Sequence, residues 1–140
     1  MIRRALFLFA IALILAPVAA PAQNASREKA AASSAEKWLG LVDKGEYAES
    51  WKEAATYFRN SITEQKWEQA AQSVRKPLGM LISRKLKTAV YKTSLPGAPD
   101  GEYVVMQFDS SFADKKSAVE TITTVLDHGG KWRVVGYFIR

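Results

Sequence analysis

At 140 residues, with 20 Lys and Arg against 14 Asp and Glu, the chain carries a formal charge of +6. It has no cysteine and a single histidine, which excludes disulfides, thiolate chemistry and cysteine-based metal sites together, and leaves an imidazole metal site short of ligands. The basic excess is mild: it suits contact with anionic envelope material better than binding to nucleic acid, and solubility alone would account for it.

The chain opens on Arg3 and Arg4, then an apolar run from Ala5 to Leu15, then Pro17 and the small residues Ala20-Pro21-Ala22. That is the layout of a cleavable secretory leader, Met1 to Ala22, with Gln23 as the new N-terminus. The apolar run falls short of the ~20 residues that span a bilayer. The expectation is a periplasmic or secreted protein, without lipid attachment because the cysteine for it is missing. The remainder is enough for one domain and not for two.

Residues 23–34 are polar and alanine-rich and read as a loose leader into the first helix, with a single domain over residues 35–140. Ala35, Trp38, Leu39 and Val42 fall on one helical face, and Gly45 provides a stop. Gly40 inside that helix suggests a site of close packing. A second helix is predicted over Glu46 to Phe58, with Trp51, Ala54, Ala55 and Phe58 in its stripe. A third opens at Ser61, with Glu64 reaching back to complete a capping box, and ends at Pro77 and Gly79. From there the period changes to that of strands: Met80 to Tyr91, Glu102 to Phe112, Ala118 to Leu126 and Lys131 to Ile139. Short links between them imply an antiparallel meander. The predicted fold class is α+β, three N-terminal helices packed on a curved four-stranded antiparallel sheet. Val104-Val105 and Val134-Val135 make the strands apolar on both faces. The second face is therefore covered by a homodimer partner, or the sheet curls and shields itself.

Two stretches carry a family resemblance. They are Ala35-Glu36-Lys37-Trp38-Leu39 with Asp43-Lys44-Gly45-Glu46-Tyr47 and Ser50-Trp51, and Pro77-Leu78-Gly79 through Ser83-Arg84-Lys85-Leu86 to Gly101-Glu102-Tyr103-Val104-Val105. The chain resembles an exported bacterial family known as domain of unknown function 4019, which brings no activity with it. In fold the arrangement looks like a reduced nuclear-transport-factor-2-like cone. The extra hairpin of such folds is missing, because only Arg59-Asn60 separates Phe58 from Ser61.

The chemistry on offer is sparse. His128 sits in a Gly-flanked turn, where solvation is the plain reading. Asp100-Gly101-Glu102 is too thin for calcium, and no glycine loop has the pattern that cradles phosphate. The expectation is of no cofactor and no metal. Asp109 and Glu120 interrupt apolar or Thr-rich strands; in a dry cavity either would serve as a general acid or base, and on an open face either is simply solvated. Arg84, Lys85, Lys87 and Lys92, with Lys115 and Lys116, form a basic patch for anionic surfaces or, more plainly, protect a sheet edge. Trp38, Trp51, Trp67 and Trp132 read as core packing before they read as a ligand cage.

These readings favour a non-catalytic binding domain that works through a sheet face or a shallow apolar pocket. Its partner would be an envelope protein or a small amphipathic ligand. The alternatives are a small isomerase- or dehydratase-like enzyme using Asp109 or Glu120, and a binder of anionic envelope surfaces through the basic strand.

Overall fold

In a computed structural model, residues 20–140 are described. The predicted leader, Met1 to Ala22, falls almost entirely outside them. Four helices precede four strands: α1 (Ala20–Asp43), α2 (Tyr47–Glu53), α3 (Thr56–Ser61) and α4 (Glu64–Arg75), then, after a 3₁₀ turn at Lys76–Leu78, β1 (Leu81–Lys92), β2 (Tyr103–Phe112), β3 (Lys115–Asp127) and β4 (Lys131–Ile139).

The helical half departs from expectation in four ways. The segment 23–34 is helix rather than loose leader, because Ala31 and Ala32 continue the apolar face and are buried against the sheet. The second helix is two helices, broken at Ala54-Ala55. There the backbone turns extended and the Ala55 N–H donates to the Val134 carbonyl of β4 at 2.8 Å. Asp127, at the end of β3, supplies the cap that α3 lacks locally: its Oδ2 accepts from the Thr56 N–H (2.8 Å) and hydroxyl (3.0 Å). The cap of α4 is Thr63, whose Oγ1 accepts from the Lys66 N–H, while the Ser61 hydroxyl donates back to the Tyr57 carbonyl. Gly40 is not a packing gap, since a Cβ there would meet nothing within 4 Å. Gly45, at φ 75°, does take the left-handed turn that ends α1.

The strands pair in sequence order, β1-β2-β3-β4, all antiparallel. The sheet is open and does not take the curved, self-shielding form predicted. β1 and β4 remain separate edges, and Phe138 (56 % exposed) and Val90 (47 %) stay bare on the outward side, where a curled sheet would bury them. Among the described residues, helices cover only one face. Ala35, Trp38, Leu39 and Val42 of α1 and Trp67 and Ala71 of α4 lie against Val104, Met106, Phe108, Ile122 and Val134.

Trp38 and Trp67 sit 5.7 Å apart at the centre of this layer. A buried indole N–H needs an acceptor. Trp38 donates to the Ser50 carbonyl (2.8 Å) and Trp67 to the Ser50 hydroxyl (2.9 Å), so the fully buried Ser50 joins α1, α2 and α4. Trp51 donates to the Ile62 carbonyl. Trp51 and Trp132 pack against the core but are only partly buried.

Candidate functional site

Two places under the helices concentrate polar chemistry. The first surrounds Glu120, which the inward side of β3 carries into the core and which has no exposed surface. Register brings its partners: Arg84 of β1 lies across from Ser110 of β2, and Ile139 of β4 lies across from Glu120 itself. Arg84 donates through Nε to Glu120 Oε1 (2.7 Å) and through Nη2 to Oε2 (3.1 Å). Ser110 donates to Oε1 at 2.5 Å and the Tyr137 hydroxyl to Oε2 at 2.6 Å. The other side of the same guanidinium holds Asp43 at the end of α1, with Nη1 to Oδ2 at 2.7 Å and Nη2 to Oδ1 at 2.9 Å. Arg75 of α4 adds a second cation, Nη2 to Asp43 Oδ1 at 2.7 Å, its guanidinium over the Phe112 ring. Among the described residues, Nε and Nη1 of Arg75 have no partner.

The electrostatics follow from this geometry. Burial alone would raise the Asp43 carboxyl, but hydrogen bonds from Arg84 and Arg75, with their charges, outweigh it and hold the group below the ordinary carboxylate value. Burial on its own would lower Arg84; the two carboxylates reverse that and raise it. Tyr137 is pushed well up, first by burial and then by the charge of Glu120, so its phenol stays a donor. Glu120 accepts from four donors and meets no solvent. A base must reach the proton that it takes. This carboxylate has neither a free oxygen lone pair aimed outward nor a path to a substrate.

Asp109 lies elsewhere. It is exposed on the outward face, opposite Lys85 in β1, far from any dry cavity. Arg84 does not belong to the basic surface, because its inward-facing position on β1 delivers it to Asp43 and Glu120. Lys85, Lys87, Lys92 and Lys116 are exposed and Lys115 half-buried. His128 is exposed at the start of the β3–β4 turn, its backbone N–H donating to Asp127. No group of three or more acidic, His or Cys side chains placed to hold a metal ion occurs among the described residues. Nor is any helix among them long and apolar enough to cross a membrane.

The second place is an open cleft of about 640 Å³ between α1, α2 and the first half of β4. Trp38, Leu41, Trp132 and Val134 supply apolar wall, and Lys37, Lys131, Arg133, Glu49 and Glu53 bring charge to it. Arg133 is partly engaged, with Nη1 3.6 Å from a Glu53 carboxylate oxygen and donating to the Glu53 carbonyl at 3.2 Å. Sequence reasoning does not find this cleft. The available signal is the run Lys131-Trp132-Arg133, an aromatic between two cations at the start of a strand, but the α1 wall is distant in the chain.

The fold and its two polar centres define a helix-covered antiparallel sheet with a sealed ionic core and an open flank. The chain belongs to the DUF4019 family of proteins of unknown function, whose model matches residues 34–137. No curated protein matches it.

Proposed function

We propose that the domain acts by binding rather than catalysis, and that the α1–α2–β4 cleft receives a small amphipathic ligand with an anionic head. The observation that carries this reading is the make-up of the cleft. Trp132 and Leu41 offer apolar surface, backed by the buried Trp38 and Val134, and Lys37 and Lys131 stand beside it as cations, while Glu53 is drawn to Arg133. Acid–base chemistry at Glu120 has no comparable support, since that carboxylate is sealed and saturated with donors. In this reading the domain works in the periplasm or outside the cell after the leader is removed, where amphipathic envelope material is at hand.

Tryptophan fluorescence titrated with laurate tests the proposal. Trp38 and Trp132 line the cleft, so a saturable change is expected. Trp132→Ala or Lys131→Glu should weaken it roughly tenfold, the scale of one lost apolar anchor or charge contact. No saturable signal from the unaltered protein, or equal binding by both variants, rejects the cleft as the site.

A further inference from the structure

The basic edge of the sheet is not absorbed by the cleft, and it stands on observations of its own. From Lys76 to Pro99 the sequence contains no acidic residue. This stretch forms β1, an edge strand with Lys85, Lys87 and Lys92 exposed. Lysines of this kind are a familiar defence against edge-to-edge aggregation. A defended edge has no need of bare apolar side chains, yet Met80 is 78 % exposed, Ile82 58 % and Val90 47 %. The β2–β3 hairpin is tied to the same end: the Ala113 N–H donates to the Met80 carbonyl at 2.8 Å and the Asp114 N–H to the Leu78 carbonyl at 2.9 Å. That fixes Lys115 and Lys116, which follow the turn, beside Met80. The nearby acids are Asp109, opposite Lys85, Asp114 at the turn, and Glu28 and Glu102 beside Tyr91; Glu102 is paired with Arg27, and the other three do not neutralise the five lysines.

We propose that this strip, β1 with the tip of the β2–β3 hairpin, docks the domain on an anionic lipid bilayer. The lysines sit at phosphate level, and Met80 and Ile82 enter the head-group boundary. Charge complementarity favours a bilayer, since each lysine near an anionic surface adds its own increment and no large contact area is required. A protein partner would need about 800 Å² of fitted surface per side, more than a strip one strand wide provides. Pairing with another strand is opposed at one rung already, because the Tyr91 N–H donates to the Glu28 carboxylate at 3.1 Å.

The test is co-sedimentation of the full chain with vesicles of phosphatidylglycerol and phosphatidylcholine, against vesicles of phosphatidylcholine alone. Binding to the anionic vesicles only is expected, falling steeply between about 0.05 and 0.5 M salt as the Debye length shrinks. The combined variant Lys85→Glu, Lys87→Glu, Lys92→Glu should bind on the order of 100-fold more weakly. Met80→Ser with Ile82→Ser, at exposed positions that leave the core intact, should bind roughly tenfold more weakly through lost apolar insertion. Circular-dichroism melting of each variant separates lost docking from lost folding. No binding to anionic vesicles, or binding that survives lysine reversal, overturns the proposal. So does equal binding to neutral vesicles, which makes attachment independent of the lysines. Loss on lysine reversal with no effect of the two serines also overturns it and leaves plain electrostatic adsorption.

Discussion

The covered face of the sheet carries charge at both of its ends, and the two ends use it differently. Around Glu120 every carboxylate oxygen is matched by a donor from the chain itself, and Arg84 spends its whole guanidinium on two acids. Around Trp132, at the opposite end of β4, Lys37 and Lys131 face open space beside apolar wall. The contrast teaches that burial and charge do not by themselves mark a reactive group. A buried acid whose partners are all internal holds strands and helices in register, whereas a charge that faces a cleft is free to meet something else.

The largest break in this comparison should come from Glu120→Leu. It leaves Arg84 and Arg75 to share the single carboxylate of Asp43, one buried positive charge in excess, and a loss of about 3–5 kcal/mol in urea denaturation is expected. Adding Arg84→Met should return part of that loss, because a pair replaced whole costs less than a pair split. A single-variant loss under about 1 kcal/mol would mean that the ionic core is not scaffold.

Acid should weaken the same end next. The Asp43 carboxyl is held below its ordinary value in the folded chain, so its stabilising contribution is complete above the unfolded-state value and is lost as pH falls through the folded one. Asp127, at the opposite end of the sheet, is lowered as well: burial opposes this, and the bonds from the Thr56 and His128 N–H groups and the Thr56 hydroxyl prevail. The urea midpoint is therefore expected to fall below about pH 4. Asp43→Asn should be less stable at neutral pH yet show a shallower acid decline; parallel curves would remove Asp43 from the account. The smallest effect on stability belongs to the open end. Lys131→Glu should stay within about 0.5 kcal/mol of the parent while it weakens laurate binding, and a larger destabilisation would make that end structural too.

How much of this was legible depends on the range of the forces involved. β4 is bounded as the sequence suggests, Lys131 to Ile139, because His128-Gly129-Gly130 leaves few other places to turn. The helical face of α1 was legible from Ala35 onward for the same local reason. The break between α2 and α3 was not, since Ala54-Ala55 is good helix-forming sequence and bonds to distant strands, to Val134 of β4 and Asp127 of β3, interrupt it. The role of Glu120 was hidden in the same way. In β3 it resembles any strand acid, and what makes it an anchor is Arg84, 36 residues earlier, and Asp43, 41 residues before that arginine. The open sheet was misjudged because apolar residues on both faces of a strand do not tell curling from exposure.

The tie between Asp127 and Thr56 spans 71 residues, and Ala55 reaches still further, to Val134. It imposes an order on assembly. A chain that emerges from its N-terminus has Ala54 and Ala55 long before the last hairpin exists, and for that interval local preference favours one continuous helix through them. The bend can be secured only when β3 and β4 have met. The joint between α2 and α3 is thus a record of completion, written at the front of the domain by its final strand.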